Sequence, residues 1–169
     1  MKGRFIAYAA SYVVIVVLVG VFSRYLKFLG AAPEIFLVFL AAASLREGPY
    51  FGVIFGFLTG IFADFISVYL PGAHCLLYTA VGYICGSLSG KFYTDSAQNR
   101  IFITLSATVF VRAGLWLAGE TFGVRYNPSS QWVMLTILYN ILASWPIFPA
   151  AASVGSFIDK RNSSRERHG

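Results

Sequence analysis

The feature that most restricts this chain is its division into apolar blocks, 13 to 27 residues long, separated by short polar stretches. Blocks of that length are what α-helices need to cross a hydrocarbon core of roughly 30 Å at about 1.5 Å per residue. In lipid the backbone must satisfy its own hydrogen bonds, so the blocks read as helices. Six are present: Phe5 to Phe22, Pro33 to Leu45, Tyr50 to Tyr69, His74 to Ser89, Ile101 to Ala118 and Trp132 to Ile158. Only 12% of the residues are charged, against about 25% in a typical soluble domain, and mean hydropathy is +0.69. The expected fold class is an all-α membrane protein with six transmembrane helices. It forms a single domain over residues 1–158, with a basic, disordered tail over 159–169.

The blocks differ in what they ask of the bilayer. The first follows Lys2 and Arg4 like a signal peptide, but it is long and lacks a small-x-small cleavage site, so it reads as a retained span. Pro33 to Leu45 rises only about 20 Å, so it must thin the bilayer, recruit flanking residues or re-enter. The third and fourth blocks are joined by Leu70, Pro71 and Gly72, a turn that makes them antiparallel neighbours. The sixth is about 40 Å long as a helix, and Pro146 and Pro149 predict a kink in its second half.

Charge then orients the spans. With six crossings, Lys2, Arg4, Arg46, Lys91, Arg100, Lys160, Arg161, Arg165 and Arg167 gather on one side, and only Arg24, Lys27 and Arg125 on the other. Cytoplasmic loops carry the excess of Lys and Arg, so both termini are expected in the cytoplasm. The net charge of +6 forms no contiguous patch, and nucleic acid is not an expected partner. Tyr50, Trp116, Tyr126 and Trp132 fall near span ends, where amphipathic rings anchor at headgroups, while Trp145 lies inside the sixth block.

The clearest pattern is Gly48, Gly52, Gly56, Gly60 and Asp64 at four-residue steps, mirrored by Gly82, Gly86 and Gly90. Small residues let helix backbones approach closely where lipid supplies no hydrophobic drive, so the two rows imply helix packing or a face for a partner's membrane helix. Asp64 and Arg112 are the strong charges well inside spans. Counted from Tyr50 and Ile101 they lie about 21 Å and 17 Å deep, which allows an intramembrane ion pair. A ligand or proton pathway is the alternative role, though no relay of further acids or histidines accompanies them. His74 stands at the start of the fourth block without an evident carboxylate partner and reads as a boundary residue.

Cys75 and Cys85 are ten residues apart in one block, about 15 Å along a helix and beyond disulfide reach. Neither metal-ligand spacing nor a nucleophile motif, phosphate loop or carboxylate pair occurs, so no catalytic, cofactor-binding or metal site is expected.

Pro33-Glu34 opening a span, Arg46-Glu47-Gly48-Pro49, the glycine row to Asp64, the Pro71-Gly72 turn and Gly82-Tyr83 with Gly86 together resemble the MreD family. The likeness covers nearly the whole chain and is most specific over Pro33 to Gly90; the family commonly has Asp where Glu34 stands. It implies a non-enzymatic component of the bacterial cell-elongation (rod shape) machinery in the inner membrane. Such a component binds MreC, a membrane-anchored periplasmic protein, works with the MreB cytoskeleton and with RodA and its transpeptidase partner, and supports peptidoglycan synthesis. The resemblance also implies a bundle similar to the substrate-binding S components of energy-coupling-factor vitamin transporters. A transport role is therefore the rival expectation. Its outer loops offer chiefly Glu34, His74, Glu120, Arg125 and Asn127, few groups for vitamin recognition.

Overall fold

A computed structural model of the chain describes residues 34–67, 70–90, 96–124 and 130–166. The expected first span, Phe5 to Phe22, lies outside them. Among the described residues the fold is all-helical, with five helices and no strand: α1 (Ile35–Glu47), α2 (Pro49–Ile66), α3 (Ala73–Ser87), α4 (Ala97–Phe122) and α5 (Ser130–Glu166).

Helix α1 is the hub. Nine consecutive residues, Leu37 to Leu45, are buried, and α1 touches all four of the other described helices. A helix apolar all round belongs in a core, which its sequence, Leu-Val-Phe-Leu-Ala-Ala-Ala-Ser-Leu, satisfies. The burial also accounts for its shortness. Thirteen residues rise about 20 Å, but a helix walled by protein need not match the thickness of lipid.

The junctions are set by Gly and Pro. A single residue, Gly48, links α1 to α2 with φ +94°, in the region that favours glycine, and Pro49 follows at the first helical position, where its missing N–H is no loss. Helix α4 runs about one turn beyond the expected block at each end. Its start recruits Ala97 to Arg100, and its end is closed by Gly123 in the left-handed conformation, with the Val124 N–H donating to the Gly119 carbonyl. Helix α5 is continuous with Pro146 and Pro149 inside it, and it extends to Glu166 rather than ending at Ile158 in a disordered tail. Residues 159–166 contain neither Gly nor Pro to stop it.

By length and composition, Pro49–Ile66, Ala97–Phe122 and Val133–Ser153 within α5 can cross a bilayer. No more than a third of each is buried. The remainder presents large apolar side chains outward, among them Phe57, Phe62 and Phe65 on α2, Phe102 and Trp116 on α4, and Leu138 and Trp145 on α5. Bands of exposed aromatic and aliphatic residues on long helices suit lipid as the surrounding solvent, and this is a membrane protein.

Candidate functional site

Two polar clasps and one glycine seam hold the core together. The seam lies between α2 and α3, the most extensive helix contact among the described elements. Gly52, Phe55, Gly56, Thr59, Gly60 and Ala63 form the buried face of α2, and Leu77, Tyr78, Val81, Gly82, Cys85 and Gly86 that of α3. A Cβ on Gly52 would strike the carbonyl of Gly82, and a Cβ on Gly82 the carbonyl of Gly52. One on Gly56 would meet the Tyr78 carbonyl, and one on Gly60 would meet the Cys75 Cα, with the His74 carbonyl at 2.8 Å. One on Gly86 would lie 2.5 Å from the Pro49 Cα. Backbones in direct contact gain dispersion energy that side chains would otherwise keep apart. Gly48 and Gly90 share the four-residue spacing but play another part. A Cβ on either would face open space, and their φ values of +94° and +77° mark them as turn residues.

Asp64 lies one step beyond Gly60 on the same row, which brings its carboxylate to the first turn of α3. Oδ1 accepts from the His74 backbone N–H at 3.0 Å, and Oδ2 accepts from that of Cys75 at 2.9 Å. The N-cap residue of α3, Gly72, has no side chain to offer, so the preceding helix supplies the cap. The negative charge also sits at the positive end of the α3 dipole. Oδ1 is in addition 3.0 Å from His74 Nδ1, and Ser67 Oγ is 3.1 Å from the same nitrogen.

The expected Asp64–Arg112 pair is therefore corrected. Asp64 is taken by α3, and the Arg112 Nη2 pairs at 2.6 Å with Oε1 of Glu34, the residue before α1. The backbone N–H of Glu34 donates to Asn140 Oδ1 at 2.7 Å, Asn140 Nδ2 donates to Thr108 Oγ1 at 3.0 Å, and Thr108 Oγ1 donates to the Thr104 carbonyl at 2.8 Å. Asn140 and Thr108 are fully buried. This chain of bonds ties the start of α1 to α4 and α5, and a buried amide so used fixes which faces meet.

His74 is likewise corrected: it has a carboxylate partner. A depth count could have found Glu34, which stands about 18 Å above Arg46, level with Arg112. The row Gly52-Gly56-Gly60-Asp64 could have found the other clasp, because its fourth member must meet whatever its third packs against.

Ser, His and Asp meet at the α2–α3 turn, but not as a hydrolytic triad. Asp64 and Ser67 both address Nδ1, whereas a triad base uses one ring nitrogen for its orienting acid and the other for the nucleophile. Both cysteines are free thiols, and among the described residues no group of three or more His, Cys, Asp or Glu could hold a metal ion.

Apolar outward faces, a backbone-to-backbone glycine seam and polar groups turned upon one another define a helical membrane protein whose inward residues serve assembly of the bundle. The family of the rod shape-determining protein MreD matches residues 3–151. That is most of the chain, and the chain belongs to this family, which places it in rod-shape determination. No curated protein and no solved structure matches it.

Proposed function

We propose that the protein is a non-enzymatic, multi-pass scaffold of the bacterial cell-elongation machinery. It crosses the inner membrane six times with both termini in the cytoplasm, docks an MreC-like membrane-anchored periplasmic protein and thereby supports peptidoglycan synthesis along the cell wall. Contacts with the MreB cytoskeleton and with RodA and its transpeptidase partner, direct or through MreC, complete the assembly. Family membership over residues 3–151 carries this reading. The interior supports it: the polar groups that a transporter of vitamins would turn toward a ligand are engaged in clasps, Glu34 with Arg112 and His74 with Asp64. The nine-to-three division of basic residues supports the orientation.

The test is affinity purification of the full chain from gently solubilised membranes, together with its depletion in growing rod-shaped cells. A single-span periplasmic partner is expected to co-purify, and depleted cells are expected to round. Retention of an energising transporter subunit instead, with cell shape unchanged, overturns the scaffold reading.

A further inference from the structure

Helix α1 is covered on every side, yet its described walls do not close around it. At interaxial distances of about 8–10 Å, about six helices fit round a central one, so four walls leave roughly a third of the circumference. The walls stand in chain order: α2 packs on α3, α3 on α4 and α4 on α5, whereas α2 and α5 do not pack on each other. The open sector therefore lies between α5 and α2.

No side of α1 is bare toward that sector. Leu37 to Leu45 are consecutive and, at about 100° per residue, point in every direction round the helix, and none is more than 5% exposed. The edges of the sector carry the same sign. Leu135 and Ile137 lie on opposite flanks of α5 and both are half-buried, although apart from the central α1 the one described helix packed on α5 is α4. On α2, Phe51, Phe55 and Phe62 follow one line on the flank turned away from the glycine row, and Phe55 stands 5.1 Å from Phe51 and 6.0 Å from Phe39 of α1.

The cover is therefore another part of this chain, and length says which. Outside the described residues, 68–69, 91–95, 125–129 and 167–169 are too short to line a helix of 13 residues. Residues 1–33 hold the apolar block Phe5 to Phe22, which as a helix rises about 27 Å against about 20 Å for α1. The stretch 23–33 joins it to Glu34 and can reach roughly 35 Å, several times the spacing of neighbouring helix axes.

We propose that Phe5 to Phe22 is the fifth wall of α1, seated lengthwise between α2 and α5, and that it is retained in the mature chain because its removal would lay the hub open. The block thus serves as a packing partner of the core and not as a leader to be discarded.

The full chain is purified with the photo-cross-linker p-benzoylphenylalanine in place of Phe62, Leu135 or Ile137 in turn, and in place of Ile84, exposed on α3, as the control. Variants that melt like the parent are irradiated, and Leu58, on the same flank of α2, substitutes for Phe62 if that variant melts early. Mass spectrometry identifies the joined peptides, a mixture of isotopically heavy and light chains separates bonds within one molecule from bonds between two, and intact mass locates the N-terminus. Phe62 and one of the two α5 positions are expected to label residues 5–22 of the same molecule, the other α5 position to label α4, and Ile84 to leave 5–22 unlabelled. Labelling of 5–22 from Ile84 alone puts the block on the wrong face and overturns the proposal. Bonds between heavy and light chains at Phe62 replace the block with a second copy and overturn it too. Absence of 5–22 peptides from both α2 and α5, or a purified chain that begins after Phe22, overturns it as well.

Discussion

Gly52 and Gly82 are reciprocal: a methyl group on either would collide with the backbone carbonyl of the other. The first alanine must therefore push α2 and α3 apart, and the second enters a seam already opened. Gly52→Ala and Gly82→Ala should each destabilise the protein by about 1–3 kcal/mol, the range of overpacked cores. The double variant should cost clearly less than their sum. Unfolding of purified variants in detergent measures the cycle, and strict additivity would show that the helices do not meet at this pair.

Asp64 closes the hairpin by holding two consecutive amides of α3. Asp64→Ala frees both and should cost about 2–4 kcal/mol, whereas Asp64→Asn keeps one acceptor and should cost about half as much. Fraying should also show locally. Maleimide labelling of Cys75 is expected to accelerate in Asp64→Ala, while Cys85, buried in the seam, stays protected. Equal acceleration at both thiols would mean global loosening instead.

Removing Arg112 strands the Glu34 carboxylate, whose Oε2 is buried with no hydrogen bond. Both side chains keep some solvent access, which places the loss from Arg112→Leu near the lower end of the roughly 3–5 kcal/mol of a broken buried pair. Adding Glu34→Gln should recover part of it, since no uncompensated charge then remains. Asp64→Asn combined with Arg112→Leu should instead be additive within about 0.5 kcal/mol, because the two charges serve different clasps.

Orientation can be read across α4. In a chain with Cys75 and Cys85 replaced by Ala, a cysteine at exposed Glu120 should react with an impermeant reagent in intact cells whose outer membrane is permeabilised. One at exposed Gln98 should react only after the inner membrane is opened. The opposite pattern would invert the bundle.

The helices were largely legible in the sequence, because apolar block length and the Gly-Pro junctions are local properties. The ends were less so: α4 outran its apolar block because Ala97 to Arg100 are acceptable in a helix whatever their polarity. The clasps were half legible. Depth along a helix can be counted, but Asp64 and Glu34 lie at similar depths relative to Arg112, and which one faces it depends on how α1, α2 and α4 are arranged around one another. Asn140 was invisible, since nothing local distinguishes an amide that joins three helices from one that faces an aqueous pore.

The encasement of α1 bears on how the protein is made. Of its four described walls, all are synthesised after it, and two, α4 and α5, come last. A segment too short to rest comfortably in lipid leaves the ribosome before its housing exists. A chain stalled after α3 would leave α1 without two of its four described walls, so the centre of the bundle is the last part of it to be completed.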